Sequence, residues 1–556
     1  MKREGDERMF CYQCEQTARG TGCTAFGVCG KSPEVADLQD LLIYAVKGIS
    51  MYAHRARLLG SRDREIDLFV VEALFTTVTN VNFDEDRLVS LLARAETVRN
   101  RARDLYEAAC REAGQEAEAL GGPASFAFAA AKEALIDQGG KVTPERGAER
   151  HGDVVQGLHD LVLLSLKGSA AYADHAQVLG QEDDAVYAFF HEFLDFLSRD
   201  ALSVDDLVGK ALEAGKWNIR VMELLDAANT GTYGHPVPTP VRVTPLAGKA
   251  ILVSGHDLKD LELILKQTEG KGINIYTHGE MLPCHGYPEL KKYGHLAGNY
   301  GGAWQDQREE FDAFPGAIVM TTNCIQKPKD SYKDRIFTTG LVAWPGVTHI
   351  GPDKDFSPAV EAALAAPGFE KDEPEKTILV GFGRNAVLGA ADKVVELVRA
   401  GKIRHFFLIG GCDGAKSGRN YYTDFARAVP EDCVILTLAC GKYRFNKLDF
   451  GDIEGIPRLL DVGQCNDAFS AVKIAMALAD VFETDVNGLP LSLILSWYEQ
   501  KAVCILLSLL YLGVKDIRLG PSLPAFVKAP VFEVLQEKFN LQPIGSVEDD
   551  LRAILG

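Results

Sequence analysis

LLIYAVKGISMYAHRARLLG (residues 41–60) and LVLLSLKGSAAYADHAQVLG (residues 161–180) align at an offset of 120 residues, with eight of twenty positions identical. In both copies apolar residues return at steps of three and four, the period that turns one face of an α-helix to a core. Helical periodicity continues past each copy, so the first part of the chain is expected to hold two duplicated helical bundles. Lys47 and Lys167, with Tyr52 and Tyr172, recur at matching positions and read as packing of the repeated face.

Outward from the repeats the pattern changes. Residues 231–248 are rich in Gly, Pro, Thr and Val and include Pro236, Pro238, Pro240 and Pro245, which helix interiors do not tolerate. Beyond them short β-rich runs (residues 250–254, 273–276 and 317–321) alternate with helical stretches. After a second proline-containing break at residues 367–376 the alternation restarts with residues 378–380, 405–409, 434–438 and 491–495. Such alternation implies parallel sheets covered by helices. The fold class expected is therefore multidomain, α and α/β. Residues 1–235 form a helical domain, and residues 236–370 and 371–556 form two Rossmann-like α/β domains with mainly parallel sheets. The similar restarts hint at a second duplication.

At 556 residues the chain exceeds a single hydrophobic core, and it can bury a deep, dry site. Its net charge of −19 repels phosphate backbones and argues against a nucleic-acid partner. The longest apolar stretch, residues 502–512 interrupted by Ser508, is shorter than the ~20 residues a bilayer span needs, and no membrane association is expected. The first residues carry mixed charges and no apolar h-region, so a cytoplasmic location is expected. There the twelve cysteines are reduced, and close Cys spacing points to metal binding rather than disulfides.

Cys11, Cys14, Cys23 and Cys29 follow the spacing C-x2-C-x8-C-x5-C. A structural zinc site also uses four thiolates, and spacing does not exclude it. Zinc ribbons usually present two C-x2-C knuckles, however, whereas one C-x2-C with unequal wider gaps is more like an iron-sulfur loop. Four further cysteines stand where strands end or helices begin: Cys324, Cys412, Cys440 and Cys465. His256 and Glu280 follow strands in the same manner. Carboxyl ends of parallel strands are where open α/β sheets place ligands, and thiolates mixed with imidazole and carboxylate suit iron bridged by both sulfide and oxygen. Each residue also has a bland reading. A Cys at a strand end is a small hydrophobe, His256 is a loop histidine, Glu280 a surface carboxylate, and Ser496-Trp-Tyr-Glu499 matches a capping box. The joint placement outweighs these. Cys110, Cys284, Cys433 and Cys504 lack such support and read as core or incidental thiols.

FCYQCEQT, SGHD, THGEMLP, TTNC, IGGCDGAKSGRNYY, TLACGKYRFN, DVGQCND and SWYEQKAV together resemble the hybrid cluster protein (prismane) family over essentially the whole chain. Only the eight residues before Met9 lie outside the pattern, as an extension or a misassigned start. The resemblance implies that Cys11, Cys14, Cys23 and Cys29 hold a [4Fe-4S] cluster, in the branch with short gaps. It implies a buried hybrid [4Fe-2O-2S] cluster on His256, Glu280, Cys324, Cys412, Cys440, Cys465 and Glu499, with Cys412 at the position the family converts to a persulfide. The activity implied is reduction of hydroxylamine to ammonia, with Glu499 and Lys501 as candidates for proton delivery and a simple ion-pair role open for Lys501. Nitric oxide is an alternative small N-O substrate on the same site, and a nitric-oxide-responsive or S-nitrosylating redox protein is an alternative of another class. A third reading, kinship with carbon monoxide dehydrogenase, follows from similar α/β domains and buried clusters, and the mixed ligand set argues against it. Gly381-Phe-Gly383-Arg-Asn-Ala lacks the third glycine of a dinucleotide fingerprint, so electrons are expected from a separate electron-donor protein.

Overall fold

The computed structural model describes residues 9–556, and the reading of residues 1–8 as extra lies outside the described residues. The sequence repeat is a structural repeat. Pro33–Leu58, Arg64–Thr76 and Glu85–Glu112 (26, 13 and 28 residues) are matched by Asp153–Val178, Asp184–Phe196 and Val204–Tyr233 (26, 13 and 30 residues). The same punctuation shapes both. Gly60 and Gly180 leave the first helix of each unit at φ of 87° and 82°, the left-handed conformation that ends helices cheaply only with glycine. Asp63 and Asp183 then cap the second helices by accepting from the N–H groups of Glu65 and Ala185.

Within the shared Lys-Gly pair, the glycine marks close packing rather than a turn. A Cβ on Gly48 would lie 2.2 Å from the carbonyl oxygen of Pro123, and one on Gly168 would lie 2.4 Å from that of Gln500. The second contact seats the start of the helix Gln500–Tyr511 directly on the second repeat. Tyr52 and Tyr172 are buried in the core as expected. The lysines correct the packing expectation. Lys47 and Lys167 line a polar cavity of about 920 Å³ between the two helical units, because an ammonium group needs polar partners that a helix–helix seam lacks.

Strand β1 (Thr239–Arg242) follows, and then the first six-stranded sheet, formed by β2 (Lys249–Ser254), β3 (Ile273–His278), β4 (Leu296–Asn299), β5 (Ala317–Met320), β6 (Ile336–Thr339) and β7 (Thr348–Ile350). Strand β8 (Thr377–Val380) precedes the second sheet, formed by β9 (His405–Gly411), β10 (Cys433–Leu438), β13 (Leu459–Gly463), β14 (Leu491–Ser496), β15 (Arg518–Gly520) and β16 (Gln542–Pro543). A small hairpin of β11 (Asp452–Ile453) and β12 (Ile456–Pro457) interrupts it. Every pairing within the two large sheets is parallel. Their orders are β4-β3-β2-β5-β6-β7 and β13-β10-β9-β14-β15-β16. Counted along the chain, each sheet runs 3-2-1-4-5-6, the doubly wound order. The hinted second duplication is thus present in topology.

Residues 378–380 form a strand, but not where the restart of the pattern suggested. β8 pairs antiparallel with β1, Val241 opposite Ile378, and this ribbon joins the segments flanking the first sheet. Central strands such as β10 are buried along their whole length, which explains their continuous apolar sequence. Among the described residues, no helix is long and apolar enough to cross a membrane.

Candidate metal centre

The topology brings the ligand-type residues together. In a sheet of order 3-2-1-4-5-6 the strand order reverses between the first and fourth strands, and a crevice opens at their carboxyl ends. His256 follows β2 and Cys324 follows β5 in the first sheet; Cys412 follows β9 and Glu499 follows β14 in the second. The second strands contribute a further matched pair, Glu280 after β3 and Cys440 after β10. Cys465, after β13, has no counterpart in the first sheet. Six of the seven residues therefore occupy equivalent positions in the two sheets.

His256, Glu280 and Cys465 form the tight heart of the site, with ligand atoms all within 4.8 Å of one another. His256 Nε2 lies 3.9 Å from Glu280 Oε2, and that oxygen accepts from the Cys465 N–H at 2.8 Å. The hydroxyl of Thr322 holds His256 Nδ1 at 3.0 Å and so turns Nε2 inward. Cys324, Cys412, Cys440 and Glu499 surround this trio at longer range. Charges on Glu280, Glu499 and the thiols act on one another throughout the set. Cys324 is half-buried and the other six are buried.

Burial shifts the acidic groups upward. The Cys412 thiol is pushed up to about 12 by desolvation, and Cys324, Cys440 and Cys465 rise for the same leading reason. Desolvation drives His256 well below its ordinary value, so the imidazole is neutral and its Nε2 keeps a lone pair. Lys501 behaves in the opposite sense. Burial works against its ammonium, but Cys465, Glu499 and the other acidic groups hold its pKa above the usual lysine range. Its Nζ lies 3.1 Å from His256 Nε2 and donates to Asn323 Oδ1 at 3.1 Å. Ser496 and Glu499 do not form the capping box that their spacing allows. Glu499 is itself the N-cap of Gln500–Tyr511, accepting from the Lys501 N–H at 3.0 Å, while the Ser496 hydroxyl donates to the Cys412 carbonyl. Ser496 is still in β14, so it cannot begin the helix.

The donor set fits metal. An imidazole, a carboxylate and a thiol converge with three further thiols and a second carboxylate in electrostatic reach, and Glu280 Oε1 is buried there without a hydrogen-bond partner among the described residues, a costly state that coordination would relieve. The high thiol pKa values belong to the metal-free protein, since metal displaces the protons.

Cys11, Cys14, Cys23 and Cys29 are gathered by a different device, a folded loop. Cys11 and Cys23 exchange backbone hydrogen bonds of 3.0 and 2.8 Å, and Cys23 Sγ accepts from the Ala18 N–H at 3.4 Å. Cys14 rises by burial and by the neighbouring Cys29, Cys11 and Cys23. Cys11 and Cys29 are half-buried, which leaves one edge of this group near the surface. Tyr498 responds to Cys14 and Cys29 on one side and to Cys324 and Glu499 on the other, and it packs on Trp304 at a ring separation of 4.5 Å.

The sequence of residues 9–552 matches the Prismane/CO dehydrogenase family. The chain belongs to that family. Two relatives named hydroxylamine reductase are each 59% identical to it. That of Syntrophobacter fumaroxidans aligns over 548 residues and that of Geobacter sulfurreducens over 554, in both cases 99% of this chain and 100% of the relative. Among solved structures, carbon monoxide dehydrogenase IV from Carboxydothermus hydrogenoformans superposes with a TM-score of 0.54 at 15% identity, over 100% of this chain and 93% of that one. A chain of a solved acetyl-CoA synthase/carbon monoxide dehydrogenase superposes with a TM-score of 0.56 at 16% identity, over 100% of this chain and 87% of that one. The argument from ligand type against kinship with carbon monoxide dehydrogenase is thereby corrected at the level of fold, because a shared scaffold does not require a shared ligand set. Family membership implies iron-sulfur clusters.

Several residues around the site carried no signal in the sequence. His175 stacks against His256 at 6.4 Å, and its buried Nε2 has no partner among the described residues. Thr322 and Asn323 act through contacts 66 and 178 residues away in the chain. Glu15, within the Cys-rich loop, is the exception, an acid placed between the ligand-type cysteines Cys14 and Cys23. It is fully buried and bound to Arg419 at 2.8 Å and Lys416 at 3.0 Å. An apolar cavity of about 350 Å³ runs from the partly exposed Met476 and Leu512 to Cys412 and Cys465.

Proposed function

We propose that the chain reduces hydroxylamine to ammonia and water, taking up two electrons and two protons, at a hybrid [4Fe-2O-2S] cluster held by His256, Glu280, Cys324, Cys412, Cys440, Cys465 and Glu499. Cys11, Cys14, Cys23 and Cys29 hold a [4Fe-4S] cluster that receives electrons from a separate donor protein. The observation that carries this reading is the convergence of His256, Glu280 and Cys465 within 4.8 Å, with Cys324, Cys412, Cys440 and Glu499 within electrostatic reach and a carboxylate oxygen that has no partner among the described residues. The names of the relatives supply the substrate.

When bound, the hybrid cluster supplies Lewis acidity and electrons to a small N-O molecule. The protein does the rest. Lys501, fully buried and protonated, holds a proton at Nζ beside His256, where a leaving hydroxyl needs one. Glu499 fixes the start of the helix that carries Lys501, and its carboxyl, raised above the ordinary range by burial, is the second candidate for proton delivery. The apolar lining next to Cys412 keeps bulk water from the reacting atoms. Tyr498 and Trp304 fill the space between the two sets of ligands with conjugated side chains, a packed route for electrons. Cys412 remains the candidate for persulfide formation.

Nitric oxide is the alternative substrate that one observation favours: the apolar cavity suits a small neutral diatomic better than a hydrogen-bonding molecule. Signalling through modified cysteines is not favoured, since Cys110, Cys284, Cys433 and Cys504 are all buried and burial raises Cys284, Cys433 and Cys504 away from the reactive thiolate form. The deciding experiment is anaerobic purification with iron and sulfide analysis, spectroscopy of both clusters and turnover assays with hydroxylamine and nitric oxide. A protein with both clusters and no activity on either molecule would refute the proposal.

A further inference from the structure

One buried arginine joins three segments that carry ligand-type residues. Arg419 is the N-cap residue of the helix Asn420–Ala428, and its side chain reaches back to the loops around Cys412 and Glu499. Nη1 donates to the Cys412 carbonyl at 3.2 Å and to the Ser496 hydroxyl at 2.6 Å. Nη2 donates to Glu15 Oε2 at 2.8 Å and to the Trp497 carbonyl at 3.0 Å. Cys412 follows β9, Ser496 ends β14 and Trp497 leads on to Glu499, while Glu15 is next to Cys14. Four N–H bonds of one planar group thus tie the N-terminal cysteine loop to two loops of the second sheet.

The tie is reinforced on either side. The Glu15 N–H donates to the Tyr498 carbonyl at 2.9 Å, and Glu15 Oε1 accepts from the Ser522 hydroxyl at 3.0 Å and from Lys416 at 3.0 Å. Asp413, beside Cys412, lies 3.7 Å from Arg419 and 2.8 Å from Arg444, and its carbonyl accepts from the Trp304 indole at 2.9 Å. The packed rings of Tyr498 and Trp304 are therefore held from both ends by one network, Tyr498 through Glu15 and Trp304 through Asp413. The Arg419 and Glu15 side chains are 1% and 0% exposed, so salt screens them little. A buried ion pair adds little net stability, because desolvation offsets the attraction; its stronger effect here is to select one arrangement of the loops. A lysine would meet the charge of Glu15 but has no planar fork for the other three acceptors.

We propose that Arg419 is a positioning residue for electron transfer, locking the N-terminal cysteine loop against the loops of Cys412 and Glu499 at one fixed separation. The inference rests on the reading of the two ligand sets as two cluster sites. In each transfer one electron leaves the N-terminal set and enters the buried set, and the external donor replaces it. Arg419 keeps its charge throughout. Its contribution is distance and orientation: a looser loop widens the gap that the electron crosses and lets Tyr498 and Trp304 part. Other fastenings keep the loop folded without the fork, since Gln500 Nε2 donates to the Gln13 carbonyl at 3.2 Å and Cys11 and Cys23 stay paired through their backbones.

The test reduces the anaerobic holoprotein with dithionite, mixes it with hydroxylamine and follows reoxidation of the N-terminal cluster by its spectrum. Magnetic coupling between the two centres, measured by electron paramagnetic resonance in frozen protein without substrate, reports their separation independently of turnover. Arg419→Lys should keep its iron and sulfide and its reduction by dithionite, while reoxidation slows about tenfold or more and the coupling weakens. Lys416→Met, which removes only the half-buried contact to Glu15, should change neither. Wild-type reoxidation in Arg419→Lys at full iron content overturns the inference, and so does slow reoxidation with unchanged coupling. Equal slowing in Lys416→Met also overturns it, because loop charge rather than the fork would then set the rate. If Arg419→Lys loses a cluster, Glu15→Asp, which keeps the charge pair with one methylene fewer, is read by the same criteria. A wild-type protein whose N-terminal cluster is absent, or is not reoxidised by hydroxylamine, refutes instead the functional reading on which the inference rests.

Discussion

Replacing Gly168 by Ala should move Glu499 without touching any ligand-type residue. The new Cβ would stand 2.4 Å from the Gln500 carbonyl oxygen, 2.8 Å from its carbon and 2.9 Å from Cys504 Sγ. Restoring ordinary contact, roughly 3.5 Å, requires the start of the helix Gln500–Tyr511 to retreat by about 1 Å. Such overpacking costs roughly 1–3 kcal/mol, and the better helix propensity of Ala returns about 1 kcal/mol, so the net loss of stability is about 0–2 kcal/mol. Function should suffer more. Glu499 is the cap of that helix and Lys501 its second residue, and a displacement of ~1 Å at a reacting centre can lower turnover ~100-fold. The control is built into the repeat. Gly48→Ala places a Cβ 2.2 Å from the Pro123 carbonyl, an equal clash with a short turn that has no link to the metal site. The assay is hydroxylamine turnover of both variants at matched iron content, with thermal unfolding beside it. Wild-type turnover in Gly168→Ala, or equal loss in Gly48→Ala, would refute the claim that this glycine positions the site.

Glu499→Gln should retain the helix cap, because an amide oxygen can still accept from Lys501, yet lose hydroxylamine turnover and iron from the buried site; full activity at normal iron content would show that Glu499 is only a cap. Cys14→Ser should remove the N-terminal cluster spectrum and slow electron entry while the buried cluster still assembles, since the two sets share no ligand; simultaneous loss of both clusters would contradict this. Glu15→Gln leaves the buried Arg419 without its closest counter-charge and should cost about 3–5 kcal/mol. A urea titration monitored by the N-terminal cluster checks this, and an unchanged midpoint would mean that Asp413, 3.7 Å from Arg419, is sufficient compensation.

Much of the site was legible because its residues fall at strand ends, and strand ends are a local property of sequence. The alternation of apolar runs located β2, β3, β5, β9, β10 and β14, and the cysteines, His256 and Glu280 just beyond them announced themselves by type. The duplicated helices were equally plain, down to the glycine and aspartate that punctuate them. Other features had no local mark. Whether residues 378–380 join a sheet or a ribbon depends on which partner strand is nearest in space, and β1 ends at Arg242, 135 residues before β8 begins at Thr377. Lys47 and Lys167 sit on apolar helical faces and look like packing, until two helices 120 residues apart part to leave a cavity between them. Glu499 matches one cap in sequence and forms another, because β14 extends through Ser496 and delays the helix. Sequence alone determined the elements, their repeats and the chemistry at their ends, since propensity, period and residue type act over a few residues. Only the tertiary structure decided which charges face each other, because burial and electrostatic coupling depend on distances between segments far apart in the chain.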